Sequence, residues 1–324
     1  MVDLDGYKVV ILNSFQHPVV DPEINSGRQS NYMTKIKPIK KLLIPAAGMG
    51  TRFLPVTKAQ PKEMLPVLDK PVIQYVVEEA VASGITDIIF VSGPSKRPLE
   101  DHFDRCPELE AHLAEFNKIE MLNSVKAISQ MANFTYVRQK QFYGNGYPIL
   151  DAQHVLGNDP FAVVWGDEFF VGKTPRLKQL MKAYQQLNAS VITAMPTDDA
   201  GTKKYGIIEG KEIKPGLFRV SKLVEKPGPQ GTKSRLASLG GYILKPEIFK
   251  ALEEEKKNLK PGEELYLSKA MARLLKRQPI YALLIEGKHY DAGSKLNWLK
   301  ANVEMALANS EIGQEFKEYL TSLF

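Results

Sequence analysis

The densest chemistry of the chain lies in residues 44–66, Ile-Pro-Ala-Ala-Gly-Met-Gly-Thr-Arg-Phe-Leu-Pro-Val-Thr-Lys-Ala-Gln-Pro-Lys-Glu-Met-Leu-Pro. Gly48 and Gly50 make a glycine turn, and the backbone N–H groups of such a turn can approach an anion closely. Arg52 follows at once, and Lys62 follows ten residues later. Two cations beside a glycine turn suit a polyphosphate better than a single carboxylate. Pro55, Pro61 and Pro66 fix an extended path that can hold Lys62 back toward the turn. Two common phosphate motifs are excluded. No Gly-x-x-x-x-Gly-Lys-Ser/Thr run follows Gly48, and Phe53 stands where the dinucleotide fingerprint needs its third glycine.

A second cluster of candidates lies downstream. Asp167 follows the apolar run Phe161-Ala162-Val163-Val164-Trp165, with Gly166 as the turn. In an open α/β sheet, ligands bind in the crevice beyond the strand C-termini. A carboxylate there can hold Mg²⁺ against a triphosphate, because Mg²⁺ takes one or two carboxylates plus phosphate oxygens. On its own, Asp167 reads equally as a turn residue. Asp291, in Tyr290-Asp291-Ala292-Gly293-Ser294-Lys295-Leu296, reads alone as a helix cap.

The block from Gly48 to Pro66 resembles the sugar nucleotidyltransferases, whose pattern is Gly-x-Gly-Thr-Arg…Pro-x-Thr-Lys…Pro-Lys-Glu-Met-Leu-Pro. Its longer wording, Phe53-Leu54-Pro55 with Lys62-Glu63-Met64-Leu65-Pro66, is most similar to the bacterial glucose-1-phosphate uridylyltransferases. The likeness continues through Asp69-Lys70-Pro71 and Gln74-Tyr75-Val76-Val77-Glu78-Glu79-Ala80. The resemblance implies jobs for named residues. Ala46, Ala47, Gly48, Gly50 and Thr51 would line the nucleotide site, with Gln139 as reader of the base and Gly144 at the family spacing after it. A Gln amide offers both a donor and an acceptor, which suits the imide edge of uracil. Asp167 and Asp291 would share the metal. Glu225 and Lys226, in Val224-Glu225-Lys226-Pro227, would bind the sugar hydroxyls and the sugar phosphate, with Gly206 of Lys204-Tyr205-Gly206 beside them.

The chain departs from the family pattern at three places. Glu168 stands where a second Asp is usual. Gly144-Asn145-Gly146-Tyr147 stands where the family has Gly-Leu-Gly-His or similar. Glu264-Leu265-Tyr266-Leu267-Ser268-Lys269 replaces a Gln-Leu-Thr-Asp run, which implies an altered sugar-side or packing contact.

These residues need elements to hold them. Lys41-Leu42-Leu43-Ile44 fits a buried strand. Pro71 to Ser83 reads as a helix, with Pro at its start and Gly84 at its end. Strands are expected at 87–91, 134–137, 161–165 and 190–195, and later ones at 217–224, 239–244 and 280–285. Residues 98–129 and 296–324 read as helical. A charge-rich segment at the start of the first, Lys96 to Arg105 with Glu108-Leu109-Glu110, is similar to an insertion of the uridylyltransferases. It reads residue by residue as a solvated helix, with His102 structural. Alternating strands and helices imply α/β architecture: a single Rossmann-like nucleotidyltransferase domain with a mainly parallel, partly mixed central sheet flanked by helices. Residues 41–324 form that domain. Residues 1–40, polar and without periodicity, form an N-terminal extension, either a loosely held arm or a stretch preceding a natural start at Met33.

Composition narrows the class. The chain has 324 residues, 25% of them charged, as in ordinary globular proteins. One cysteine, Cys106, excludes an intramolecular disulfide and a cysteine-based zinc site, and points to a reducing, cytoplasmic setting. No apolar stretch approaches the ~20 residues needed to span a bilayer, so no membrane partner is expected. The net charge of +6 comes from scattered basic residues without an aromatic-basic motif. That argues against nucleic acid as a partner and for anionic small-molecule substrates.

The expected activity is transfer of the uridylyl group of UTP to glucose 1-phosphate, giving UDP-glucose and pyrophosphate. A phosphate oxygen attacks the α-phosphorus in line, with Mg²⁺ as cofactor and Arg52, Lys62 and Asp167 catalytic. The alternatives are another base or sugar 1-phosphate, such as TTP, or a non-catalytic paralogue that binds sugar nucleotide. The resemblance further implies a homo-oligomer, dimer or tetramer.

Overall fold

The computed structural model describes residues 36–141 and 143–323. The expected N-terminal extension lies outside the described residues, apart from 36–40. There Ile39 is buried and Lys37 pairs with Asp159 at 2.9 Å.

The first strand, β1 (Lys41–Ala46), buries Leu42, Leu43 and Ile44 in succession. A continuous apolar run of this kind fits a central strand covered on both faces. A small ribbon, β2 (Pro66–Val67) and β3 (Lys70–Pro71), leads into the helix Val72–Ala82. That helix buries Val72, Ile73, Val76, Val77 and Ala80 on one face, the spacing a helix laid on a sheet requires. Gly84, at φ 90°, turns the chain out of it. Then come β4 (Asp87–Ser92), β5 (Asn133–Arg138) and β6 (Phe161–Val163). Next are β7 (Glu168–Val171), β8 (Ser190–Pro196), β9 (Gly206–Lys214), β10 (Leu217–Glu225) and β11 (Leu236–Leu244). The last two are β12 (Ile280–Leu284) and β13 (Lys288–Asp291).

Nine of these strands form one sheet in the order β5-β4-β1-β6-β11-β8-β12-β10-β9. Strands β5, β4, β1 and β6 run parallel. Strand β11 enters antiparallel between β6 and β8, and β12 again runs parallel to β8. The sheet is therefore mixed, as the clustering of the later strands implied. The expected 98–129 helix is three helices, Arg97–Phe103, Pro107–Glu115 and Ile119–Gln130, with Pro98 and Pro107 opening the first two. The C-terminal segment is likewise two, Lys295–Ala308 and Gly313–Ser322. Cys106 is a free, exposed thiol. Among the described residues no helix is long and apolar enough to cross a membrane.

Two features of this topology create a site. From β1 the chain builds outward through β4 and β5, then returns to place β6 on the other side of β1. The sheet order thus reverses at β1/β6, and a crevice opens beyond the C-terminal ends of those two strands. At the far edge, β9 curls back to pair with β11, matching Ala237 to Ile207 and Ser238 to Gly206. Gly206 and its partner Glu225 are thereby returned from the sheet edge toward the centre.

Candidate active site

The glycine turn occupies the crevice above β1. Gly50 has φ 66°, a left-handed conformation that favours glycine, and Thr57 Oγ1 donates to its carbonyl at 2.8 Å. The proline-rich path then brings Lys62 back as expected. A Cβ built on Gly48 would stand 3.8 Å from Lys62 Nζ. The same ammonium is 2.5 Å from Asp167 Oδ2, so the turn, Lys62 and Asp167 form one contact. Burial opposes the charge on Lys62, but the carboxylates of Asp167 and Glu63 outweigh it and raise its pKa.

Asp291 reaches the same place by a different element. Strands β7 and β13 pair antiparallel outside the main sheet, with Asp291 opposite Glu168. This register sets Asp291 beside Asp167. A Cβ placed on Gly293 would lie 2.9 Å from Asp291 Oδ1 and 3.0 Å from Asp167 Oδ2, so the two carboxylates converge on one point. Arg52 Nη1 donates to the Gly293 carbonyl at 3.3 Å, which brings the first cation of the glycine turn to the same spot. Among the described residues no group of three or more His, Cys, Asp or Glu side chains stands ready to hold a metal. A pair of hard carboxylate donors is the set that Mg²⁺ uses when it keeps phosphate oxygens in its shell, so these residues fit that ion.

Lys204 closes the other side. Its ammonium pairs with Asp291 Oδ2, tying the Lys204-Tyr205-Gly206 loop to β13. Burial opposes ionisation of Asp291, yet Lys204 and the Gly293 amide, which donates at 2.9 Å, hold its carboxyl below the ordinary range. Glu225 lies at the end of β10, and a Cβ on Gly206 would meet its Oε2 at 3.4 Å. Lys226 Nζ is 3.5 Å from Glu225 Oε1. Its φ of 45° is a left-handed conformation that a lysine rarely adopts, and such outliers collect at ligand sites.

Ala46, Ala47, Gly48, Gly50 and Thr51, expected with these groups, all lie at or just beyond the end of β1. Gln139 follows β5, two strands away from β1 on the same C-terminal edge. Its side-chain amide donates to the Gln141 carbonyl. Gly144 has φ 100°, and a Cβ there would stand 2.4 Å from the Leu265 carbonyl oxygen. It is a close-approach glycine against residues 264–267. The unusual Asn145 is a structural residue: its Oδ1 accepts the Leu267 amide at 2.8 Å, at the start of the helix Leu267–Leu274.

Several supporting groups escaped the sequence reading. Lys96, read there as part of a solvated helix, is buried and donates to Glu63 at 2.8 Å, directly behind Lys62. Burial pushes the Glu63 carboxyl up, against the pull of Lys96 and Lys62. Glu168, the departure from the usual second Asp, turns inward. Asp167, in the turn before β7, meets Lys62, while Glu168, the first residue of β7, is buried. There the fully buried Arg176 pairs with Glu79 at 2.9 Å and with Glu168 at 3.4 Å, and His289 Nε2 lies 3.2 Å from Glu168. Arg176 also donates to the Gly240 carbonyl and stacks on Phe170. An isolated Arg or Glu in a helix carries no local signal of this kind. Elsewhere His102 meets Gln74 at 3.0 Å, and burial lowers its pKa, which fits the structural role expected of it.

A glycine turn, an Asp beyond the neighbouring strand and a second Asp from a side ribbon, all on the reversal point of a mixed α/β sheet, define a nucleotide-handling enzyme. The model of the family described as nucleotidyl transferase matches residues 41–307, and the chain belongs to that family. It is 47% identical over 285 residues to UTP–glucose-1-phosphate uridylyltransferase 1 of Staphylococcus saprophyticus, covering 88% of this chain and 99% of that one. Among solved structures it is similar to a UDP-glucose pyrophosphorylase complexed with UDP-glucose, with 39% identity and TM-score 0.75, covering 84% of this chain and 100% of that one. A UTP-bound enzyme of the same kind from Acinetobacter baumannii shares 35% identity at TM-score 0.81, covering 88% and 100%. The resemblance carried by the Gly48–Pro66 block is borne out, and so is the α/β nucleotidyltransferase fold.

Proposed function

We propose that the chain transfers the uridylyl group of UTP to glucose 1-phosphate, releasing pyrophosphate. The observation that carries this reading is the convergence of Lys62, Asp167 and Asp291 beside the glycine turn. Its uridylyltransferase relatives supply the substrate pair. The attacking phosphate oxygen is already anionic near neutral pH, so the site needs positioning and charge neutralisation rather than a strong base. Lys62 would contact the phosphates near the reacting centre, and Arg52 would stabilise the departing pyrophosphate. Glu225 accepts hydrogen bonds from sugar hydroxyls, and Lys226 holds the sugar phosphate. Asp167 and Asp291 would hold Mg²⁺, which when bound screens the triphosphate and orients the α-phosphate. Lys62 and Lys204, paired with these two carboxylates, would add positive charge for the phosphate oxygens.

Base recognition by Gln139 belongs to the same proposal, and requires its amide to leave Gln141. Residues 41–324 would be the catalytic unit, since the family match also begins at Lys41. We further propose a cytoplasmic homo-oligomer working on small molecules, with no nucleic-acid or membrane partner. The scattered basic residues support small-molecule substrates and the single cysteine a reducing compartment, while the homo-oligomer rests on the family resemblance. The experiment is pyrophosphate release with glucose 1-phosphate across UTP, TTP, CTP and GTP. UTP should exceed the others by at least an order of magnitude in kcat/KM. Preference for TTP would replace the base assignment, and UDP-glucose binding without turnover would replace the enzyme.

A further inference from the structure

The departure at residues 264–269 links the two halves of the site. Leu265 donates its amide to the Tyr143 carbonyl at 3.0 Å, and its own carbonyl accepts from Gly146 at 2.8 Å. Leu267 is capped by Asn145, 122 positions earlier in the chain. One residue further on, Ser268 is buried and donates its hydroxyl to Glu225 Oε2 at 2.7 Å. Between these contacts the Tyr266 ring faces Lys226 Nζ at 5.4 Å. Four consecutive residues thus grip the 143–146 loop with backbone bonds and touch both charged groups of the sugar-phosphate motif.

We propose that this segment is a strap that sets the Glu225 carboxylate for the sugar 1-phosphate. Ser268 is its positioning residue and Asn145 its remote anchor. The inference rests on the reading of Glu225 as the sugar ligand. A carboxylate at the end of a strand is free to rotate about its last bond. A charge-assisted bond to one oxygen fixes its plane. Lys226 stands near the other oxygen, so the remaining lone pairs keep one direction, toward the crevice. Paired sugar hydroxyls need such a fixed acceptor, because misorientation by a rotation is felt as lost binding rather than lost chemistry.

Steady-state kinetics with both substrates varied tests this on a pair matched in shape, Ser268→Thr and Ser268→Val, which differ by the hydroxyl alone. Ser268→Val should raise KM for glucose 1-phosphate about tenfold, with KM for UTP and kcat within about threefold of the parent. Ser268→Thr should restore the glucose 1-phosphate value. Asn145→Ala should shift the same constant in the same direction. Asn145→Ala with Ser268→Val should be no worse than Ser268→Val alone, because both act through one bond. Equal rises in both KM values, or equal behaviour of Val and Thr, would overturn the strap. Glu225→Ala is the control: if it leaves KM for glucose 1-phosphate unchanged, the sugar-ligand reading itself has failed. If Glu225→Ala raises that constant and Ser268→Val does not, only the strap has failed.

Discussion

At the scale of residues, the site is a set of paired charges. Lys62 holds Asp167 and Lys204 holds Asp291, each pair bridging segments far apart in sequence. Asp167→Asn keeps the shape and removes the anion. It should lower kcat at saturating Mg²⁺ by about 10²-fold or more while the unfolding midpoint stays near the parent's. Near-parental turnover would remove Asp167 from the metal site. The second pair makes a prediction in pH. The folded pKa of Asp291 lies below its unfolded value, so its stabilising contribution is complete above the unfolded value, about 4, and is lost as pH falls through the folded one. Lys204→Met removes the main cause of that depression. The melting temperatures of parent and variant should therefore differ at neutral pH and converge as pH falls from about 5 to about 3. A gap that persists unchanged in acid would place the effect of Lys204 elsewhere.

At the scale of elements, the ribbon of β7 and β13 depends on a buried ionic knot. Arg176 is the cation between Glu79 on the first long helix and Glu168 on β7. Arg176→Met leaves two carboxylates in the core without it, at a cost of about 3–5 kcal/mol. Urea unfolding should show this as a lower midpoint, and turnover should fall because the ribbon register sets Asp291 against Asp167. How much of this was legible follows from the range of each signal. The glycine turn, Lys62 and the helix after Pro71 are written in adjacent residues, so pattern alone finds them. Asp167 is visible because a strand and a turn precede it. The ribbon is not, since Phe169-Phe170 and His289-Tyr290 give no hint that they pair across more than a hundred residues. Lys96 misleads for a related reason: its neighbours Arg97, Glu100 and Asp101 are those of a solvated helix, and only tertiary packing turns it inward. Asn145 lies in the motif after Gln139 and caps a helix more than a hundred residues later, a partner that no local pattern names.

At the scale of the whole molecule, the site gathers residues 48–62, 167, 204–206, 225–226 and 291–293 from nearly every part of the domain. A ligand spanning them acts as a cross-link on the folded state alone. UDP-glucose at 100 times its Kd should add about 2.7 kcal/mol, read as a rise of about 5 °C or more in Tm. The C-terminal helix Lys295–Ala308 shares in this, because Trp298 donates to the Pro66 carbonyl at 2.9 Å and Asn302 accepts from the Leu68 amide at 3.1 Å. It clamps the loop that carries Lys62. The order of the parts along the chain also has a temporal meaning. Every strand of the nine-stranded sheet is complete by Leu284, whereas the second carboxylate arrives only with β13. A chain emerging from the ribosome owns its phosphate turn from the start and its Asp291 near the finish. On the proposed reading, such a nascent chain would lack one of its two metal carboxylates until the last ribbon forms, so turnover should appear only after residue 291 has been made.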